Sequence, residues 1–168
     1  MRYVVTGAAG FIGSHLTEAL LARGDDAVGV DCFTDYYDPR EKEENASGFD
    51  VLRLDLAEKD IDLDGVDGVF HLAGQPGVRS FGEAFPVYLR RNVLATQRVF
   101  QSAAEGGVPV AFASSSSVYG EAERYPTPAW RAASVRGIRG MGVHSFAEKS
   151  AAPDPGTALA GYSIVLLD

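Results

Sequence analysis

The first two dozen residues set the strongest constraint. Arg2–Thr6 (RYVVT) is a short apolar run, Gly7, Gly10 and Gly13 follow it, and the segment from Phe11 onward (FIGSHLTEALLARG) places Ile12, Leu16, Ala19, Leu20 and Arg23 at helical spacing, with Gly24 as the expected stop. A strand, a glycine turn and a helix start in that order leave the first helical amides without intrahelical partners and aim the positive helix end at the turn. A pyrophosphate suits that place, so the chain is expected to bind a dinucleotide.

Strand-like and helix-like stretches then alternate. Ala27–Val30 (AVGV) closes on Asp31, and 32–48 is polar, reading as surface loop or a short helix. Val51–Leu54 (VLRL) ends at Asp55, and Gly68–Leu72 (GVFHL) follows a turn rich in Gly and Asp; both suit short buried strands. Residues 83–105 form the longest helical candidate, with Val87, Leu94, Val99 and Ala103 among its apolar positions, and Gly106 and Gly107 end it. Val108–Ala113 (VPVAFA) supplies a further strand that delivers the serine run Ser114–Ser117. Strands separated by helix-length segments imply right-handed crossovers: a doubly wound parallel α/β sheet of order 3-2-1-4-5, with ligands at the C-terminal strand edge.

Asp31 stands eighteen residues after Gly13, at the end of the second strand, where a carboxylate accepts bonds from adenosine ribose hydroxyls. That acid repels a 2'-phosphate, and no Arg or Lys lies among residues 32–36 to offset it, so NAD is favoured over NADP. The alternative is a turn that needs glycine only for tight packing. His71, alone at the end of an apolar strand, reads as a packed core residue, and Arg90 and Arg91 as a solvated helix face. Gln75 and Arg79, in the loop after the fourth strand, either face the ligand or are ordinary solvated side chains.

Composition sets the outer limits. A chain of 168 residues with 46% hydrophobic residues suits one globular unit with a sizeable core. The net charge of -8 without a basic block argues against nucleic acid or an anionic membrane as partner. One cysteine, Cys32, excludes an internal disulfide, and no apolar run is long enough to span a bilayer. Three scattered histidines give no metal-ligand spacing. With no secretory signal visible, a cytoplasmic protein is expected.

Four ordered segments, TGAAGFIGSHL, VDCFTDYYDPR, HLAGQPGVRSF and SSSSVYGE, resemble the extended short-chain dehydrogenase/reductase family, in particular its NAD-dependent sugar-nucleotide epimerases and dehydratases. The resemblance covers residues 1 to about 128 and implies a Rossmann domain holding NAD, with UDP- or dTDP-sugars bound by a C-terminal domain. It also implies that Gly7, Gly10, Phe11, Ile12 and Gly13 line the pyrophosphate, Asp31 the ribose, and Asp55 with Leu56 the adenine. Leu72, Ala73 and Gly74 pass beneath the cofactor, and Asn92 steadies the central helix against the strands. A homodimer through helix 83–105 is implied as well.

In that family a serine or threonine five residues before the glycine of the VYG turn hydrogen-bonds the sugar hydroxyl being oxidised; here it is Ser115. The family pairs it with Tyr-x-x-x-Lys, the tyrosine taking the hydroxyl proton and the lysine lowering a phenol pKa that starts near 10. None of the seven tyrosines here is followed four places later by lysine; Lys149 has Ser145 in the partner position. The sequence therefore predicts catalysis severely weakened or lost. From about Ala129 the text loses periodicity and gains a PDPG breaker, which reads as a loop-rich tail over 129–168, C-terminally truncated relative to the family. Only Tyr162–Leu167 (YSIVLL) has strand character there, as an added edge strand or an exposed segment.

Overall fold

A computed structural model describes residues 1–76, 82–114 and 163–166. Its elements are β1 (Arg2–Thr6), α1 (Phe11–Ala22), β2 (Asp26–Asp31), α2 (Pro39–Asn45), β3 (Val51–Arg53), β4 (Gly68–His71), α3 (Phe85–Tyr88), a π-helical turn (Leu89–Leu94), α4 (Ala95–Gly106), β5 (Val110–Ser114) and β6 (Ser163–Leu166). The strands form one sheet in the order β3-β2-β1-β4-β5-β6, and every pairing is parallel. The order expected for the first five strands is the order found, and Ser163–Leu166 joins the sheet beside β5.

Alternation along β1 sends its residues to both faces of the sheet. Val4 packs with Val30, Val69 and Val110 against Val99 and Ala103 of α4. Val5 packs on the other face with Ala27 and with Leu20 of α1. Helices thus cover both faces of a parallel sheet, the doubly wound arrangement.

Two helices differ from the sequence pattern. The inward face of α1 is Gly13, Ser14, Thr17 and Leu20, while Ile12 is exposed; small residues lead because the helix starts hard against β1. Residues 83–105 do not form a single α-helix. A π-helical turn over Leu89–Leu94 interrupts it, so Val99 and Ala103 are buried while Val87 and Leu94 face outward.

His71 is fully buried, its Nδ1 2.7 Å from Thr6 Oγ1 and its Nε2 2.9 Å from Thr96 Oγ1. The ring stacks on Phe112, with centroids 5.6 Å apart. Burial pushes the imidazole down from 6.5 to about 4. The unfolded chain therefore takes up a proton near pH 6.5 that the folded chain refuses until about pH 4. Stability from this site is complete above the unfolded value and drains as pH falls, by about 1.4 kcal/mol per pH unit and about 3 kcal/mol in all. Urea midpoints are expected to drop between pH 6.5 and 5, above the carboxylate range, and His71→Gln is expected to flatten that slope. A wild-type curve level across this interval would contradict a neutral buried His71.

Candidate functional site

The C-terminal ends of β1, β2, β3 and β4 surround a cavity of about 320 Å³. Its first wall is the turn between β1 and α1. The Gly7 amide donates to the Val30 carbonyl (2.7 Å) and the Gly10 amide to the Gly7 carbonyl (3.0 Å), so the turn is tied to β2 and to itself. Gly7 has φ +72°, and a Cβ on it would stand 2.8 Å from Ala73 N and 2.9 Å from Leu72 C. A Cβ on Gly13 would fall onto the Gly7 carbonyl oxygen and 2.8 Å from Ala8 Cα. These two glycines permit backbone to lie directly on backbone, which is the tight-packing role. Gly10 borders the cavity and has only the Gly7 carbonyl oxygen, at 3.2 Å, near the place of a Cβ.

Helix α1 opens on this cavity with Gly10 at its N-cap, no side-chain cap and no acidic residue in its first turn. The amides of Phe11, Ile12 and Gly13 thus meet no acceptor from a capping side chain. An uncapped helix start on a cavity fits an anion, and the pyrophosphate of a dinucleotide meets that requirement. Phe11, 75% exposed, and Ile12 stand at the rim.

Asp31 forms the second wall and is only 8% exposed. Its Oδ1 accepts from the Phe33 amide (2.7 Å) and its Oδ2 from the Ala9 amide (3.2 Å), which fixes the carboxylate at the strand end. Phe33 takes a positive φ of 51° to make its contact. Lys42 of α2 brings Nζ to 3.6 Å from Asp31 Oδ1 and donates to Thr34 Oγ1 at 3.1 Å.

The third wall is Leu54, Asp55 and Leu56. Burial works to raise the Asp55 carboxyl. The hydrogen bond from the Ala57 amide (2.8 Å) and the Arg90 guanidinium (3.0 Å) prevail and hold it below the usual carboxylate range. Arg90 also donates to Glu58 at 2.7 Å, so it clamps the helical segment to the loop after β3. Arg91 lines the cavity and donates to Gln75 Oε1 at 3.3 Å. Arg90, its side chain 42% exposed, stays on the solvated face as expected while pairing with Asp55, whereas the same expectation for Arg91 is corrected: it turns to the cavity wall.

Leu72, Ala73, Gly74 and Gln75 make the floor. Asn92 stands outside the lining and braces it, its Oδ1 accepting from the Gln75 amide (2.6 Å) and its Nδ2 donating to the Gln75 carbonyl (3.0 Å). The cavity thus gathers Gly7, Gly10, Phe11, Ile12, Gly13, Asp31, Asp55, Leu56, Leu72, Ala73 and Gly74. Ser115 and Arg79 lie outside the described residues. Lys42, Thr34 and Tyr37 also line the cavity and were not singled out by sequence, because a polar loop and a short helix carry no periodic signal. Among the described residues no group of His, Cys, Asp and Glu is placed to hold a metal ion, and no helix is long and apolar enough to cross a membrane.

The model of the NAD dependent epimerase/dehydratase family matches residues 3–135. The chain belongs to this family. It is 41% identical over 132 residues to an uncharacterized UDP-glucose epimerase, YtcB, of Bacillus subtilis, covering 72% of this chain and 42% of that protein. It is 39% identical over 135 residues to UDP-glucuronate 4-epimerase 1 of Arabidopsis thaliana, covering 73% of this chain and 32% of the relative. The crystal structure of UDP-glucuronic acid 4-epimerase from Bacillus cereus, in complex with UDP-glucuronic acid and NAD, matches at 37% identity and a TM-score of 0.68, over 74% of this chain and 43% of that one. The chain therefore spans about two fifths or less of the length of these epimerase/dehydratase relatives. NAD is the family's cofactor, and the fold is the family's Rossmann-type sheet.

Backbone packing at the turn and simple left-handed strain are separable by mutation. Gly7→Ala combines positive φ with a collision against Ala73 and is expected to cost about 3 kcal/mol. Gly24→Ala shares a positive φ of +88° but has open space around the new Cβ, and is expected to cost about 1 kcal/mol. Urea denaturation of the two variants checks the difference.

Proposed function

We propose that this chain holds NAD(H) across the glycine turn as the cofactor half of a nucleotide-sugar epimerase of the UDP-sugar 4-epimerase type, with negligible turnover of its own. The observation that carries the proposal is the uncapped start of α1 facing a cavity whose opposite wall is a backbone-anchored Asp31. The amides at Phe11, Ile12 and Gly13 bind the pyrophosphate, and the remaining lone pairs of Asp31 accept the ribose hydroxyls. Leu54, Asp55 and Leu56 border the adenine, and the Asn92-braced floor keeps Leu72, Ala73 and Gly74 beneath the cofactor. Bound NAD supplies the acceptor and donor of hydride. Ser115, by its place in the family pattern, orients the sugar hydroxyl.

The chemistry then lacks a proton acceptor. Tyr-x-x-x-Lys is missing from the sequence, and a serine hydroxyl such as that of Ser145 is far too weak an acid to replace a phenol poised by lysine. That absence favours a second reading, a non-catalytic NAD-binding module. In both, 1–128 is the NAD-binding unit and 129–168 a divergent tail. Exposed Val87, Leu89 and Val93 support pairing of two copies through the helical segment that begins at Phe85. The acidic composition and single cysteine support a cytoplasmic protein that contacts neither nucleic acid nor membrane.

NADH fluorescence titration and incubation with UDP-glucose, UDP-galactose and UDP-glucuronate test this reading. NADH is expected to bind below about 1 mM, and no epimerised sugar is expected. Absence of NADH binding at that concentration would overturn both readings and leave a non-functional fragment. Epimerised product would overturn the loss of turnover.

A further inference from the structure

One cation on the cavity wall is left without a carboxylate. Lys42 is engaged by Asp31 (3.6 Å) and Thr34 (3.1 Å), and Arg90 by Asp55 and Glu58. Arg91 lines the same cavity, half-buried, and pairs with no carboxylate among the described residues. Its guanidinium carries five N–H donors, and the partner it finds there is the neutral Gln75 Oε1, at 3.3 Å. Residues on both sides fix its place. Arg90 is fastened to Asp55 and Glu58, and Asn92 grips the Gln75 amide and carbonyl, so the wide turn presents Arg91 to the cavity between two anchored neighbours. Such π-helical turns recur at functional sites.

The sheet decides which part of a dinucleotide Arg91 meets. Its helical segment covers the face that holds Val4 and Val30, whereas α1 covers the face that holds Val5 and Ala27. Arg91 and the amides at the start of α1 therefore approach the strand ends from opposite sides. Arg90 pins the segment to the loop after β3, and the charge of Arg91 is felt at the ends of β2 and β3. Burial raises the Cys32 thiol and Arg91 opposes that rise; at Asp55 the same charge adds to the bonds that overcome burial. This is the adenosine end of the site, where Leu54, Leu56 and Ala95 give the cavity apolar walls. A guanidinium is planar and weakly hydrated and stacks on aromatic faces, a fit that a compact ammonium lacks.

We propose that Arg91 is a binding residue for the adenine ring, its guanidinium covering the face of the base beside the end of β3. The inference rests on the NAD(H) reading given above and adds to it a residue that recognises the base by its aromatic face.

NADH fluorescence titration of the whole chain, with adenosine as the competing ligand, tests it. Adenosine carries the base without a phosphate, so it separates a contact to the ring from a contact to the pyrophosphate. Arg91→Met is expected to weaken NADH and adenosine alike, each about tenfold, with the urea midpoint unchanged. Arg91→Lys keeps the charge but not the plane, and its affinities are expected to stay within about threefold of those of Arg91→Met. A loss confined to NADH, or full recovery in Arg91→Lys, would assign Arg91 to the pyrophosphate and overturn the inference while leaving the NAD(H) reading intact. Unchanged affinities in Arg91→Met, or adenosine that does not displace NADH from the unaltered chain at about 10 mM, would overturn it in the same way. Equal losses with a lowered urea midpoint would assign Arg91 to holding the floor through Gln75 and overturn its role toward the base. Absence of NADH binding by the unaltered chain would overturn both readings.

Discussion

A neutral imidazole clasped between two hydroxyls holds the centre of this molecule. His71 belongs to β4, Thr6 to β1 and Thr96 to α4, so one ring joins two adjacent strands to the helix that covers them. Thr6 Oγ1 also accepts from the Ala73 amide at 3.2 Å, which carries the connection into the cavity floor. Among the described residues no buried side-chain nitrogen or oxygen lacks a partner. Loss of one member would strand the others at about 1–3 kcal/mol for each unsatisfied group. The glycine turn and the floor keep their relative places because β1 and β4 beneath them are fastened in this way.

Much of this arrangement was legible in the residues. Five strands announced themselves as short apolar runs between turn signals, and their parallel order followed from the helix-length segments between them. Gly7, Gly13 and Asp31 were legible because backbone contact and a carboxylate at a strand end require particular residue types at particular spacings. Residues 83–105 were misjudged because a π-helical turn has no compositional mark: the apolar positions fit one helix loosely, and only tertiary contact selects the wider turn. The same turn hid the partners of Arg90 and Arg91. Lys42 was missed for another reason. It reaches Asp31 from a helix that begins eight residues later in the chain, a proximity that no local pattern encodes.

Net charge proves a poor guide to the site. The chain carries -8 overall, yet the cavity places Lys42 and Arg91 beside Asp31 and Asp55, two charges of each sign. The family model spans residues 3–135, which hold the glycine turn, Asp31 and the cavity floor.

The wide turn at Leu89–Leu94 gives the helical segment from Phe85 to Gly106 two independent phases. Its second part follows the ordinary rotation of about 100° per residue, with Ala95, Val99 and Ala103 inward. Its first part is rotated out of step, which releases Val87, Leu89 and Val93 from the core. The outward positions Val87, Leu89 and Val93 can therefore be exchanged without opening the core under α4, whereas Arg90 and Asn92 of the same wide turn stay tied to Asp55 and Gln75.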